Sequence, residues 1–159
     1  MTGVQTCALP ILSTLDFQEG ESVLDVGCGY GPIGLSLAKV QGVTVTMVDV
    51  NERALDLAKK NANRNGVEAQ IFSSDVYEAV VGVFDHVISN PPIRAGKKVV
   101  HQVITGSFEH LKPGGDLTIV IQKKQGAPSA KAKMEETFGN CEIVKKDKGY
   151  YILRSEKES

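Results

Sequence analysis

Ser22 to Pro32 reads Ser-Val-Leu-Asp-Val-Gly-Cys-Gly-Tyr-Gly-Pro, an apolar segment that runs directly into a glycine-rich loop and a proline. The apolar segment predicts a buried strand. Pro32 predicts the start of a helix, because a proline at the first helical position loses no intrahelical hydrogen bond. Glycines at this junction let the backbone turn tightly and approach a ligand closely, and the helix start offers free amide protons.

Two details separate this loop from the dinucleotide-binding pattern, which also places glycines after a first strand. Gly31 follows Gly29 by two residues rather than three, and the acidic Asp25 lies two residues before Gly27. Because that pattern shares the glycines themselves, a nicotinamide-dependent oxidoreductase stays an alternative. A binding test that includes a nicotinamide dinucleotide separates it from enzymes that use another cofactor.

The rest of the chain alternates strand patterns with helical ones. The predicted strands are Ser22–Val26, 43–48, 69–72, Phe84–Ser89, 117–122, 141–145 and 150–153, and the predicted helices are 32–40, 52–65, 99–111 and 130–138. Lys112-Pro113-Gly114-Gly115 is expected to end the third helix, and a Lys-Asp-Lys-Gly turn joins the last two strands. The alternation predicts an α/β fold with a doubly wound, mostly parallel seven-stranded Rossmann-like sheet that ends in an antiparallel hairpin.

Length and composition are those of an ordinary globular protein. The 159 residues correspond to about one domain, with 42% hydrophobic and 23% charged residues. The sequence shows neither a bilayer-length apolar stretch nor a basic-then-apolar leader, so we expect a cytoplasmic protein without membrane contact. Three cysteines without metal-ligand spacing predict neither disulfides nor a metal site.

The N-terminus does not read like the rest of the chain. Residues 3–11, Gly-Val-Gln-Thr-Cys-Ala-Leu-Pro-Ile, resemble the translation of a widely used DNA-sequencing adapter. We therefore expect residues 1–14 to be non-native or disordered, residues 15–155 to form the domain, and residues 156–159 to be a tail. No function is assigned to Cys7.

Charge is divided unevenly along the chain. Residues 1–89 contain five basic and eleven acidic residues, whereas residues 90–159 contain thirteen basic and eight acidic ones. A basic second half is suited to contacts with RNA phosphates, although solvated surface lysines explain it equally well.

Carboxylates recur at the ends of the first three predicted strands. Asp25, Asp49 and Asp75 lie about 25 residues apart, a spacing that favours one shared ligand. Asp49 can accept hydrogen bonds from both hydroxyls of an adenosine ribose. Asp75 can accept one from the adenine amino group, with the Val76 amide donating to the ring.

The fourth strand leads into Asn90-Pro91-Pro92-Ile93. Two prolines hold the loop rigid and keep the preceding residues extended. The Asn90 side-chain oxygen and the Pro91 carbonyl can then converge on one spot and accept both protons of an amino group, which directs the nitrogen lone pair at an electrophilic methyl.

With these motifs the chain resembles class I S-adenosylmethionine-dependent methyltransferases that have an Asn-Pro-Pro motif. More narrowly, it looks like the bacterial small-subunit ribosomal RNA (guanine-N2) methyltransferases. The similarity runs from about Leu15 to Ser155 and lies in three stretches, which are residues 23–34 (Val-Leu-Asp-Val-Gly-Cys-Gly-Tyr-Gly-Pro-Ile-Gly), 89–97 (Ser-Asn-Pro-Pro-Ile-Arg-Ala-Gly-Lys) and 120–127 (Val-Ile-Gln-Lys-Lys-Gln-Gly-Ala).

The resemblance implies S-adenosyl-L-methionine as the cofactor, a guanine of ribosomal RNA as the substrate, and direct attack of the amino nitrogen on the sulfonium methyl without a metal. The implied cofactor contacts are Asp25, Gly27, Cys28, Gly29, Asp49, Asn51, Asp75, Val76 and Asn90. The implied catalytic residues are Asn90, Pro91, Pro92 and Ile93. The predicted RNA contacts are Arg94, Lys97, Lys98, Lys123 and Lys124, whereas His86 and His101 are expected to be packing or surface residues.

Two departures from the family pattern bear on activity. Ile93 stands where many relatives place Tyr or Phe, so it offers an apolar surface without aromatic stacking. Relatives also have a segment before the first strand that helps cover the cofactor, and we expect this chain to lack most of it. The alternatives are therefore a non-catalytic or weakly active RNA-binding fragment, or an Asn-Pro-Pro enzyme that acts on protein glutamine or DNA adenine.

Overall fold

The computed structural model describes residues 13–92 and 95–158. The expectations for residues 1–12, and those for Ile93 and Arg94, lie outside the described residues.

Seven strands and four helices make up the described chain. The strands are β1 (Ser22–Val26), β2 (Thr44–Asp49), β3 (Ala69–Ser73), β4 (Phe84–Ser89), β5 (Leu111–Gln122), β6 (Glu142–Asp147) and β7 (Tyr150–Glu156). The helices are α1 (Pro32–Gln41), α2 (Glu52–Arg64), α3 (Gly96–Ser107) and α4 (Ala127–Phe138). Short 3₁₀ turns, Phe108–His110 and Lys123–Gln125, precede and follow β5.

The helices begin and end where local chemistry allows. Pro32 opens α1, and Gly42 ends it in the left-handed conformation that a glycine adopts at low cost. The side chain of Asn51 accepts a hydrogen bond from the Ala54 amide and so caps the start of α2.

The strands form one sheet in the order β3-β2-β1-β4-β5-β7-β6. The first five strands pair in parallel, and β7 inserts antiparallel between β5 and β6. The predicted fold class, including the terminal hairpin, is confirmed. The register aligns Val26 with Val48 and Ser89, and Asp49 with Ser73, so the carboxyl ends of β1 to β4 meet at one edge.

The sheet separates two apolar layers because successive side chains of a strand point to opposite faces. Val23 of β1 packs with α1 and α2, whereas its neighbours Leu24 and Val26 pack with α3 and α4. Each large side chain buried in these layers contributes roughly 1.5–3 kcal/mol of transfer free energy.

Several predicted boundaries differ from the observed ones. Helix α3 spans Gly96–Ser107 rather than 99–111, and Lys112-Pro113-Gly114-Gly115 lies within β5 as an irregularity opposite Phe84 and His86. The glycines there give β5 room to bend, and the Gly114 amide donates to the Lys157 carbonyl. Strand β7 spans Tyr150–Glu156 and so extends beyond the predicted end at 153.

A charged network holds residues before β1 to the amino ends of the strands. His86 Nδ1 lies 2.8 Å from Asp116 Oδ1, its Nε2 lies 3.0 Å from Glu21 Oε1, and its ring stacks on Phe17. Burial lowers the pKa of His86, but its hydrogen bonds with Asp116 and Glu21 outweigh this and raise the pKa above its ordinary value. His86 pairs with Val23 near the start of β1 and contacts Glu21 before that strand, so it lies toward the sheet edge opposite the aligned carboxyl ends of β1 to β4.

Among the described residues, no helix is long and apolar enough to cross a membrane.

Candidate active site

A cleft of about 230 Å³ opens at the carboxyl edge of the sheet. Its walls are mostly apolar, with a few polar groups, which is the usual composition of a small-molecule site. It is lined by Val26, Gly27, Asp49, Val50, Ser74, Asp75, Val76, Ser89, Pro91, Pro92, Ala95, Val99 and Val103. The structure thus brings together Asp49, Asp75, Pro91 and Pro92, which follow or end three different strands. Asn90 lies between the lining residues Ser89 and Pro91 but is not itself part of the lining.

Asp49 is half-buried at the end of β2, and backbone amides hold its carboxylate. The Gly29 amide donates to Oδ2 at 2.8 Å, and the Asn51 amide donates to Oδ1 at 2.9 Å. Each oxygen keeps further acceptor capacity, because a carboxylate offers about four lone-pair positions. Asp49 can therefore accept hydrogen bonds from ligand hydroxyls in a fixed orientation.

The side chains of Asn51 and Cys28 are both engaged within the protein, which makes them less available to a cofactor than the sequence suggests. The Asn51 carboxamide is used as the helix cap of α2. The Cys28 thiol is buried and donates to the Gly29 carbonyl at 3.4 Å, and burial raises the pKa of this thiol. Contacts of these two residues with a cofactor stay predictions.

The protein itself uses amides of the glycine loop, whereas the free amide protons were predicted for the start of the helix that follows. The amides of Gly27 and Cys28 both donate to the Val48 carbonyl. The loop is closed onto β2 and rigid, and Gly27 and Gly29 both adopt positive φ angles, 73° and 60°. It presents Gly27 to the cleft without a side chain.

Asp25 does not line the cleft with Asp49 and Asp75, and its contact with a cofactor stays a prediction. Its side chain is 2% exposed and accepts a hydrogen bond from the Gly34 amide near the start of α1. The alternation of β1 explains this, because Val26 lines the cleft and Asp25 points to the other face. A Cβ on Gly34 would lie 3.0 Å from Asp25 Oδ2 and 2.6 Å from Met47 Sδ, so only glycine lets α1 approach this closely. Asp25 holds the loop and α1 in place.

We expect Asp25→Asn to stabilise the cofactor-free protein at high pH. Burial, opposed by the Gly34 amide and reinforced by the nearby Asp49 charge, raises the pKa of Asp25 from 3.8 to about 7. Between these values the folded protein retains a proton that the unfolded chain releases, so the free energy of unfolding falls as pH rises from 3.8 to about 7. Asparagine keeps the acceptor without the charge.

Urea unfolding of the two proteins from pH 4 to pH 8 tests this prediction. The difference in unfolding free energy should grow with pH to a few kcal/mol, an order-of-magnitude value. The exposed Asp56→Asn on α2 is the matched control and should show no such trend. A constant difference between Asp25→Asn and wild type across the range would contradict the prediction.

The segment after β3 forms the second polar wall of the cleft. The Ser74 hydroxyl donates to the Val76 carbonyl at 2.8 Å and accepts from the Ala79 amide at 3.0 Å. Val76 has a φ of 55°, which is unusual for a β-branched residue and costs of order 1–3 kcal/mol. The tight turn leaves Asp75 exposed at the cleft with Val76 beside it.

The Asn-Pro-Pro segment closes the cleft on the side of β4. The Ser89 hydroxyl donates to the Val26 carbonyl at 2.8 Å, which ties the end of β4 to β1. Pro91 is buried, Asn90 is half-buried, and no partner hydrogen bonds the Asn90 carboxamide within residues 13–92 and 95–158. The Pro91 carbonyl accepts a hydrogen bond from Gln125 Nε2 at 3.2 Å.

Several residues of the cleft were not among the sequence predictions. Gln125 reaches Pro91 from the 3₁₀ turn after β5, and α3 contributes Val99 and Val103 to the apolar wall. Val50 is 63% exposed at the cleft. Its position directly after Asp49 is the one signal that could have found it.

The predicted RNA contacts occupy two places near this edge. Lys97 and Lys98 are exposed in the first turn of α3, and Lys123 and Lys124 are exposed just after β5. His101 lies away from the cleft lining and hydrogen bonds with Ser129 at 3.1 Å. In the described part of the chain, no group of His, Cys, Asp and Glu side chains is arranged to hold a metal ion.

The sequence model of the methyltransferase small domain family matches residues 3–154 of the chain. The chain belongs to this family. The methyltransferase small domain uses S-adenosylmethionine, so the enzyme class and the cofactor predicted from the sequence are confirmed at this level.

The relatives agree with this assignment. The chain is 53% identical over 148 residues to the uncharacterized protein YbxB of Bacillus subtilis, covering 89% of this chain and 74% of YbxB. It is 33% identical over 150 residues to the ribosomal RNA small subunit methyltransferase C of Shigella flexneri, covering 91% of this chain and 43% of the relative. The chain therefore spans less than half of the methyltransferase C proteins.

Solved structures share the fold. A T. thermophilus 16S rRNA N2 methyltransferase in complex with AdoMet and guanosine has a TM-score of 0.88 and 28% identity, covering 99% of this chain and 44% of that one. A methyltransferase from Pyrococcus furiosus has a TM-score of 0.85 at 23% identity, covering 97% of this chain and 84% of that one, which shows the fold alone.

Proposed function

We propose that this methyltransferase small domain transfers a methyl group from S-adenosylmethionine to the exocyclic amino group of a guanine in ribosomal RNA. The observation on which the proposal depends is that Pro91 and Pro92, directly after Asn90, line the same cleft as Asp49 and Asp75.

The residues present fit the cofactor. Asp49 is a fixed acceptor suited to a ribose diol, and Asp75 is an exposed acceptor suited to the adenine amino group. Val50 and Val76 offer apolar surface beside these two carboxylates, and a bound adenine ring would cover the exposed Val50. The cofactor supplies an electrophilic methyl group on a sulfonium sulfur.

The protein's part in the chemistry is to hold and orient the acceptor nitrogen. The Asn90 oxygen and the Pro91 carbonyl are acceptors for the two amino protons, which leaves the nitrogen lone pair directed away from them. The Pro91 carbonyl already accepts from Gln125, and its second lone pair stays available for the substrate. Substrate in the cleft shields the reacting atoms from water while the methyl group moves from sulfur to nitrogen, and the surplus proton of the methylated nitrogen leaves to water afterwards.

A ribosomal RNA substrate is supported by the relatives and by the charge of the chain. The methyltransferase C proteins are ribosomal RNA methyltransferases, and the 28% identical solved structure contains guanosine. Lys97, Lys98, Lys123 and Lys124 surround the carboxyl edge of the sheet with exposed positive charge. Such a substrate places the activity in the cytoplasm.

The deciding experiment is incubation with methyl-labelled S-adenosylmethionine and undermethylated ribosomal RNA, followed by nucleoside analysis. We expect the label in N2-methylguanosine. Label in DNA adenine or protein glutamine in parallel reactions, and none in the RNA, would replace this substrate by one of the alternatives.

A second candidate is an RNA-binding domain that has little turnover by itself. It is favoured by one observation, that the chain spans 43% of the methyltransferase C relative. RNA binding without transfer of label, in a protein that binds the cofactor, would establish it.

We expect replacement of Lys123 and Lys124 by alanine to flatten the salt dependence of RNA binding. Each lost phosphate contact reduces the slope of log K against log salt by about 0.7 for single-stranded RNA. Fluorescence anisotropy titrations at several salt concentrations measure the slope, and Lys59→Ala with Lys60→Ala on α2 is the matched double control. An unchanged slope would count against these contacts.

A further inference from the structure

A second, more open groove of about 640 Å³ lies between the end of β5 and the β6–β7 turn. It is lined by Gln122, Lys123, Lys124, Lys148, Gly149 and Tyr150. Lys148 and Tyr150 were not among the predicted RNA contacts, and both come from the terminal hairpin.

The positive charge of this groove is not neutralised by the described protein. Lys123, Lys124 and Lys148 are exposed, and none of them is in an ion pair with any carboxylate of residues 13–92 and 95–158. Other lysines of the same half are paired, for example Lys131 with Glu135 at 2.9 Å. Three free ammonium groups around one groove form a site for an anion.

Lys148 occupies a backbone position that is unfavourable for lysine. It is the first residue of a two-residue hairpin turn and has a φ of 50°, followed by Gly149 with a φ of 82°. Asn, Asp or Gly is preferred at the first position of such a turn, and an ordinary side chain there costs of order 1 kcal/mol. The Lys148 side chain therefore contributes charge to the groove at some cost to folding.

Two glutamines connect the groove to the Asn-Pro-Pro segment through hydrogen bonds. The side-chain Nε2 of Gln122 donates to the Tyr150 hydroxyl at 2.8 Å, and the backbone N–H of Gln122 donates to Gln125 Oε1 at 2.8 Å. Gln125 Nε2 in turn donates to the Pro91 carbonyl. The Lys123 amide also donates to the Gly149 carbonyl at 2.9 Å, which fixes the hairpin turn against the end of β5.

We infer that this groove binds the single-stranded RNA that flanks the target base. Lys123, Lys124 and Lys148 bind its phosphates, and Tyr150 offers a half-buried ring for an apolar contact with a base or ribose. The strand is single because an exocyclic amino group is accessible to the Asn-Pro-Pro segment only when its base is unpaired and unstacked. Cations next to an aromatic ring are the usual combination for such a strand.

Lys148→Asn tests the inference without endangering the fold, because asparagine suits the turn better than lysine. The probe is a fluorescein-labelled single-stranded RNA of about twelve nucleotides. We expect Lys148→Asn to raise Kd about 3- to 10-fold and to reduce the slope of log K against log salt by about 0.7. The melting temperature should be unchanged or higher.

Lys60→Asn on α2 is the matched control, since it removes the same exposed charge at the opposite end of the sheet. It should leave Kd and slope unchanged. Tyr150→Phe removes only the hydroxyl and its hydrogen bond with Gln122, so it tests the connection between the groove and the Asn-Pro-Pro segment. We expect Tyr150→Phe to bind the probe with unchanged salt slope but to lower kcat.

The inference rests on the proposed function, yet the two fail differently. Lys148→Asn with an unchanged Kd and unchanged KM for RNA, in a protein that still methylates RNA, overturns the groove and leaves the function standing. If Lys148→Asn weakens RNA binding as expected but the wild-type protein transfers no methyl group to RNA, the groove remains an RNA-binding site and the proposed function is contradicted. Equal affinity for duplex RNA or for polyglutamate would show a general anionic surface and overturn the inference.

Discussion

Asn90→Ala should lower the rate of methyl transfer to RNA by about 10²- to 10³-fold while leaving the affinity for S-adenosylmethionine almost unchanged. Asn90 follows β4 directly, and its half-buried carboxamide is not engaged by the described protein. Its removal takes away one of two acceptors that orient the amino nitrogen. Single-turnover rates at saturating cofactor, together with calorimetric titration of the cofactor, separate the two effects.

Two further variants show whether acceptor chemistry or packing is responsible. Asn90→Asp keeps an oxygen at the same position and should retain more activity than Asn90→Ala. Asn63→Ala, the same change at an exposed position of α2, should have wild-type rates. If Asn90→Ala turned over at the wild-type rate, the proposed catalytic loop would have to be abandoned.

Asp49→Asn should weaken binding of S-adenosylmethionine by about 10- to 100-fold. A hydrogen bond to a charged acceptor contributes roughly 1.5–3 kcal/mol, and the substitution leaves one neutral acceptor oxygen where two charged ones stood. Calorimetric titration gives the dissociation constant directly. The same titration with a nicotinamide dinucleotide separates the two cofactor classes, because Asp49 would serve the ribose of either.

The structural role of Asp49 has to be measured separately. Its carboxylate also accepts from the Gly29 and Asn51 amides, so the variant loses some stability in the absence of any ligand. Thermal unfolding without cofactor gives that loss, and Asp56→Asn on α2 controls for the change of net charge. A dissociation constant equal to that of the wild type, in a folded variant, would show that Asp49 does not bind the cofactor.

The sequence predicted the architecture because the relevant information is local. Apolar runs, the glycines after Val26 and the proline at the start of α1 each act over a few residues, and the final hairpin follows from its own turn. Asp49 at the end of β2 and Asn90 after β4 follow from the same patterns. Parallel strands then bring these ends to one edge, so the cleft itself was predictable.

The differences arose where residues distant in the sequence, or the alternation of a strand, override the local pattern. Lys112-Pro113-Gly114-Gly115 reads as a breaker, yet it joins β5 because Gly114 and Gly115 pair with Lys157, a residue more than forty positions away. Asp25 is spaced like Asp49 and Asp75, yet the alternation of β1 turns its side chain under α1 and away from the cleft that Val26, Asp49 and Asp75 line.

The amino-acid sequence by itself determined which residues end their strands at the ligand edge, because strand periodicity and helix signals are properties of short segments. Only the tertiary structure decided which distant side chains meet there. Gln125 reaches Pro91 across 34 positions, and Lys148 joins Lys123 because β7 inserts beside β5. Strand order and register, rather than any local pattern, set those distances.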